Sequence, residues 1–181
     1  MSKNVEKYFK EVLITEEQIQ TRISELAERI SKDYEGKKLL LLCILKGGVC
    51  FLVDLMRALD VPHEIDFLAV SSYGANVRES TGVVKIIKDL DDPIQGKHIL
   101  IIEDIIDTGF TLSYLMKLLE PRNPASLKIC TLLNKQDRRK IDIPVDYIGF
   151  DVPDKFVVGY GLDMDELYRE LKYVAVMKEG F

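Results

Sequence analysis

Glu103, Asp104 and Asp107 follow directly on the apolar run Ile99-Leu100-Ile101-Ile102, and the turn Thr108-Gly109-Phe110-Thr111 comes straight after them. Carboxylates gathered at one strand end repel each other unless a cation or a hydroxyl-bearing group sits among them. A bare phosphate would be repelled there, whereas a sugar diol with Mg²⁺ beside it would be held. The turn has the opposite chemistry. Gly109 lets the backbone approach closely, and the hydroxyls of Thr108 and Thr111 join the first free N–H groups of the following helix in an anion-binding site. Acids for hydroxyls or a metal, followed at once by donors for a phosphate, describe a site for a phosphorylated sugar.

The flanking elements must hold these groups. Ile99 to Ile102 are apolar at every position, as in a strand buried on both faces of a parallel sheet. Leu112, Leu115, Met116 and Leu119 recur at helical spacing until Pro121 stops the helix. A strand-to-helix loop of this kind lies at the carboxyl edge of an open α/β sheet, where ligands bind. Leu39 to Leu45 reads as a second buried strand, and Lys46-Gly47-Gly48 leads from it into a helix over Val49 to Leu59. Two glycines after a Lys allow a backbone whose N–H groups face an anion.

Further strands are expected at Ile65 to Ser71, Val83 to Ile87, Leu127 to Leu133, Tyr147 to Phe150, Val157-Val158 and Tyr173 to Met177. Thr15 and Gln18 form a capping box for a helix with an apolar stripe at Ile19, Ile23, Leu26, Ala27 and Ile30, ended by Gly36. The stretch Tyr73 to Gly82 is polar and reads as a mobile loop. Strands alternating with helices indicate a parallel sheet covered on both faces.

Composition narrows the function classes. The 181 residues, 47% hydrophobic and 30% charged, fit one soluble globular domain. A net charge of −5 argues against binding nucleic acid through counterion release. Cys43, Cys50 and Cys130 are odd in number and lie in apolar surroundings, as reduced cysteines of a cytoplasmic protein would. The N-terminus lacks a signal-peptide core, and the run Leu39 to Leu45 is far short of the ~20 residues of a membrane span. His63 and His98 have no Ser or Cys partner at a recognisable spacing, so no hydrolytic triad is expected.

The acidic segment resembles the phosphoribosyl-pyrophosphate (PRPP) motif of the type I phosphoribosyltransferases. Leu45-Lys46-Gly47-Gly48, Ser72-Tyr73, Lys135 with Arg139, and the segment from Asp154-Lys155-Phe156 to Gly161-Leu162-Asp163 appear in the order found in the hypoxanthine-guanine phosphoribosyltransferases. The resemblance runs from about Ile14 onward. It implies a single α/β domain over 1–181, with a mainly parallel sheet flanked by helices over about 37–150. A small hood would form from the N-terminal segment and residues 151–181.

The implied reaction is Mg²⁺-dependent transfer of the 5-phosphoribosyl group from PRPP to N9 of a 6-oxopurine, hypoxanthine or guanine, giving IMP or GMP and pyrophosphate. Glu103 and Asp104 would hold the ribose hydroxyls and, through them, a metal. Asp107 would handle the purine N7 proton, and Thr108, Gly109, Phe110 and Thr111 would cradle the 5′-phosphate. Lys46 and Gly47, after a peptide bond that is cis in some relatives, would meet the pyrophosphate with Arg169, supported by Arg139. Lys135 would donate to the purine oxygen, Phe156 would stack on the base and the Val157 main chain would read its edge. Asp163 would bind a second Mg²⁺, and Ser72-Tyr73 would open a loop that closes over the reaction.

Phe110 departs from relatives with a basic residue in this turn, and Gly74 to Glu79 varies as well. Arg138 and Lys140 read as solvated surface charges. The family implies a homodimer or homotetramer, with no nucleic-acid or membrane partner. Three rival readings share parts of this pattern. An RNA-binding regulator on the same fold is disfavoured by the acidic charge. A phosphoacceptor receiver carries its paired acids after its first strand rather than a late one. A xanthine-preferring relative remains open, because Lys135 and Phe156 do not settle the purine 2-position.

Overall fold

Why the site forms where it does follows from the order of the strands. The structure, a computed structural model, describes residues 6–72 and 84–178. Its main sheet contains β2 (Leu39–Leu45), β3 (His63–Ser72), β4 (Val84–Lys88), β5 (His98–Ile106), β6 (Ser126–Asn134) and β7 (Tyr147–Asp151) in the order β4-β3-β2-β5-β6-β7. All neighbours are parallel except the β3–β4 pair. After β2 the chain winds outward through β3, and after β5 it winds the other way through β6 and β7. The order therefore reverses between β2 and β5, and the loops leaving these two strands part there to open a crevice at the carboxyl edge.

The sequence dictates both layers. In β2 all residues from Leu39 to Ile44 are buried, with alternate side chains entering opposite cores. Leu39, Leu41 and Cys43 pack under α1 (Glu16–Asp33) and α2 (Val49–Ala58), together with Leu100 and Ile102 of β5. Leu40, Leu42 and Ile44 pack with Ile99, Ile101 and the α3 (Phe110–Leu119) residues Leu112, Leu115 and Leu119 on the other face. The expected capping box at Thr15 and Gln18 is formed, and the buried residues of α1 are Ile19, Ile23, Leu26, Ala27 and Ile30. The α1 stop is Tyr34, two residues before the left-handed Gly36, while Pro121 falls in a short 3-10 turn after α3.

A second sheet caps the crevice. It pairs β1 (Phe9–Ile14) with β9 (Val174–Met177), and β9 with β8 (Val157–Val158), all antiparallel. Phe9, Val158, Ala175 and Met177 make its core, with Tyr168 edge-on to Phe9 at 5.6 Å between ring centres. The fold is thus that of a mainly parallel sheet between helices, carrying a hood made by the two chain ends. Tyr73, the side chain of Ser72 and the expected loop 73–82 lie outside the described residues.

The structure changes one boundary that matters. The sequence places Glu103 and Asp104 beyond the end of the central strand, yet β5 continues through both to Ile106. The pairing of β5 with β6 explains this, since it runs on through Glu103–Thr131 and Ile105–Leu133 to Ile106–Asn134. The β2–β5 pairing stops at Cys43–Ile102, so past that point the acids border an opening rather than a neighbouring strand.

Candidate active site

Because Glu103 and Asp104 are consecutive residues of a strand, they point to opposite faces of the sheet. Glu103 lies on the α3 side. It lines a cavity of about 110 Å³ with Asp107, Thr108, Gly109 and Thr111. Its Oε2 is buried without a hydrogen-bond partner. Burial, and then the neighbouring Asp104 carboxylate, push its pKa well above the ordinary carboxylate range.

Asp104 lies on the α2 side, against the Lys46-Gly47-Gly48 loop. A Cβ at Gly47 would stand 1.6 Å from Asp104 Oδ2, so any side chain there would push the carboxylate aside. Burial raises the Asp104 pKa to about 6, the Asp163 carboxylate adds to the rise, and the Ile105 N–H and Arg169 act against it. The Ile105 N–H donates to Asp104 Oδ1 at 2.8 Å. Burial, and then the nearby Glu103 and Asp104 carboxylates, raise the thiol of Cys43 to about 12.

The turn over residues 108–111 holds a left-handed glycine at the start of α3. Gly109 has φ +86°, and a Cβ there would meet the Ile141 carbonyl at 2.8 Å. The Lys140 and Ile141 N–H groups both donate to the Thr108 carbonyl, at 3.0 and 3.1 Å. No side chain caps α3, so its first N–H groups, from Phe110 and Thr111 onward, are left for an anion. Phe110 is half-buried as the first residue of the helix, where its contribution to an anion is its main chain.

On the other side of the crevice the cations are already occupied. The Leu45–Lys46 peptide is cis. Lys46 Nζ lies 3.0 Å from Glu166 Oε2, and Arg169 Nη2 lies 3.1 Å from the same oxygen. Arg169 also pairs with Asp163 Oδ1 at 2.9 Å and donates from Nη1 to the Gly161 carbonyl at 2.8 Å, while its Nε is buried without a partner. Gly161, at φ +99°, presses on the loop: a Cβ there would stand 2.0 Å from the Gly47 carbonyl. Gly161, Gly47 and Asp104 therefore form a column joining hood, loop and strand.

Of the residues expected to meet the purine, Lys135 directly follows β6. Lys135 is buried, with its Nζ 3.6 Å from Asp154 Oδ1. Phe156, just before β8, is 58% exposed, and Val157 is buried in β8. Arg139 does not join Lys46. It donates to the Asn134 side chain, and its Cδ lies 3.2 Å from where a Gly109 Cβ would be, so it buttresses the phosphate turn.

Sequence reasoning missed Glu166 and Arg138. Arg138, read as a solvated charge, places Nε 3.1 Å from Asp107 Oδ1 and Nη1 3.5 Å from Asp154 Oδ2. The signal for Glu166 was the opposite charge at Arg169 three positions on. For Arg138 there was none, because Asp107 is distant in sequence. His98 does have a serine neighbour: its Nδ1 is 2.8 Å from Ser126 Oγ, at the amino edge of the sheet and away from the acids. Among the described residues, no three His, Cys, Asp or Glu side chains converge on a ready-made metal site.

Residues 13–165 match the model of the phosphoribosyl transferase domain. The chain is 52% identical over 174 residues to the hypoxanthine-guanine phosphoribosyltransferase of Mycobacterium tuberculosis (strain ATCC 25618 / H37Rv), covering 93% of this chain and 86% of that one. It is 52% identical over 167 residues to the enzyme of that name from Bacillus subtilis (strain 168), covering 92% of each. A crystal structure of a hypoxanthine phosphoribosyltransferase from Staphylococcus aureus superposes with a TM-score of 0.95 at 50% identity, covering 98% of this chain and 96% of that one.

Proposed function

Since this chain belongs to the phosphoribosyl transferase family, we propose that it moves the 5-phosphoribosyl group of PRPP onto N9 of hypoxanthine or guanine, in purine salvage. The C1–oxygen bond to pyrophosphate breaks, the C1–N9 bond forms, and the purine gives up one proton. The products are IMP or GMP and pyrophosphate. The observation that carries the site assignment is the buried, unpartnered Glu103 oxygen next to a second desolvated carboxylate, at the lip of an uncapped helix. Such a pair calls for hydroxyls or a cation, and the helix end for a phosphate.

Sugar-cation character develops at C1 as pyrophosphate leaves, so the site must stabilise a cation and a departing anion together. Glu103 and Asp104 hold the ribose hydroxyls and set negative charge below C1. Thr108, Gly109, Phe110 and Thr111 anchor the 5′-phosphate. Lys46, Gly47 and Arg169 receive the leaving pyrophosphate. Asp107 accepts the purine proton as N9 attacks, Lys135 donates to the 6-oxygen, and Phe156 stacks on the base beside the Val157 main chain.

Mg²⁺ fits the donor set. The Glu103 oxygen lacks a partner, and burial, with the Asp163 carboxylate adding to it, raises the cost of ionising Asp104. One ion would sit with the ribose hydroxyls near Glu103 and Asp104, and Asp163 would hold a second; both would supply positive charge against the pyrophosphate. With no three protein ligands converging among the described residues, it needs oxygens from the substrate.

No helix of the described residues is long and apolar enough to cross a membrane. A cytoplasmic, single-domain homodimer or homotetramer is the reading we adopt. The test is pyrophosphate release from PRPP and Mg²⁺ with hypoxanthine, guanine, xanthine, adenine and uracil in turn. Release is expected with hypoxanthine or guanine, and none with any base would overturn the reading. Asp107→Asn should cut kcat by ~100-fold or more with little change in PRPP binding, and full activity would remove Asp107 from its role.

A further inference from the structure

We infer that Glu166 is a built-in competitor for pyrophosphate, a carboxylate that neutralises Lys46 and Arg169 until substrate displaces it. The inference rests on the assignment of those two cations to pyrophosphate. One oxygen, Glu166 Oε2, accepts from both Lys46 Nζ at 3.0 Å and Arg169 Nη2 at 3.1 Å. These cations come from different parts of the molecule. Lys46 follows β2 of the main sheet, and Arg169 belongs to the segment between β8 and β9 of the hood. A single anionic oxygen bridging them stands where a phosphate oxygen would.

The backbone is set to deliver that oxygen. Asp165 and Glu166 both have left-handed φ, 53° and 66°, a region uncommon for residues other than glycine. The Glu166 N–H donates to Asp163 Oδ2 at 2.9 Å, which fixes the turn. The side chain itself is held lightly. Those of Lys46 and Glu166 are 67% and 64% exposed, and pairs this exposed are weak. Arg169 keeps a second carboxylate in Asp163, but among the described residues Glu166 is the one acid within ion-pair distance of Lys46. Glu166 is therefore firm enough in position to occupy the cations, and weak enough in binding to leave them. When pyrophosphate departs, the same carboxylate returns to the cations and opposes rebinding.

The test is the dissociation constant of inorganic pyrophosphate, measured by calorimetry at one fixed Mg²⁺ concentration. The proteins compared are the parent chain, Glu166→Gln, Lys46→Met and the double variant. Glu166→Gln keeps shape and removes charge, so it should tighten pyrophosphate about three- to tenfold and strengthen product inhibition in parallel. In the Lys46→Met background the gain should shrink below about twofold, since the displaced pair is already gone. Glu166→Asp keeps the charge with a shorter reach and should fall between the parent and the Gln variant, which guards against poor folding of either. A salt bridge that merely joins hood to sheet would lower the melting temperature and leave pyrophosphate affinity unchanged. Unchanged or weaker pyrophosphate binding in Glu166→Gln overturns the inference alone. No pyrophosphate binding to the parent chain overturns the assignment of the cations, and the inference with it.

Discussion

The two sides of the crevice are prepared for ligand in opposite ways. On the side assigned to ribose, burial raises the pKa of both Glu103 and Asp104, the Asp104 carboxylate adds to the rise at Glu103, and the Glu103 oxygen is left unpartnered. On the side we assign to pyrophosphate, Lys46 and Arg169 are neutralised by Glu166 and Asp163. Unsatisfied acids gain from a metal-bound diol, so that side draws its ligand in. Satisfied cations must first release an internal anion, so that side holds its ligand less tightly. The contrast suits a reaction in which the sugar stays through bond exchange and the pyrophosphate departs.

The contrast can be broken at its joint. Gly47 touches both sides, Asp104 through its missing side chain and Gly161 through its carbonyl. Gly47→Ala should displace both, lowering kcat/KM for PRPP by ~100-fold or more, since misplacement by about 1 Å costs that much. A fall below tenfold in steady-state kinetics would mean that the two sides are not mechanically joined.

A smaller effect sharpens the acid side. The Asp104 pKa rises from 3.8 to about 6 in the folded chain, which therefore binds the proton more tightly than the unfolded chain does. Ionised Asp104 thus costs stability at pH values above 6 and nothing below about 4. Asp104→Asn should stabilise the metal-free, ligand-free protein by about 1–2 kcal/mol at pH 8, discounted for the partial opening of the site, with the gain vanishing towards pH 4. Thermal melts across that range check it. A gain independent of pH would point to packing rather than charge.

The smallest effect concerns Asp107, which resembles the cation side in being paired. The pair with Arg138 is exposed on both partners, at 46% and 41%. Arg138→Gln should lower KM for hypoxanthine by about two- to threefold and leave KM for PRPP unchanged. A change confined to PRPP would place Arg138 with the phosphates instead.

Much of this was legible in local patterns. The apolar runs in β2 and β5, the capping box of α1 and the Thr-Gly turn are decided by neighbours in sequence, and the structure forms each of them. The sharing of work between Glu103 and Asp104 was not legible, because it depends on β6 extending β5 through both residues and so sending them to opposite faces. A carboxylate pair after an apolar run gives no sign of that cross-strand support. Strand β1 was hidden for a related reason. Phe-Lys-Glu-Val-Leu-Ile buries only Phe9 and Ile14, so no alternation marks it, and its partner β9 lies near the other end of the chain. Glu166 and Arg138 likewise act on residues far off in sequence, and composition treats them as surface charge.

The pairing of β1 with β9 sets a schedule as well as a shape. Ile14 meets Val174 and Phe9 meets Met177, so among the described residues the first strand made waits for the last. Every pairing of the main sheet can be completed earlier in synthesis, and contacts this distant in sequence are slow to close. A chain under construction thus holds the ribose acids and the Lys46 loop before the segment bearing Asp163, Glu166 and Arg169 is pinned above them. The segment bearing these three residues is thus held in place by a strand pair that spans most of the sequence.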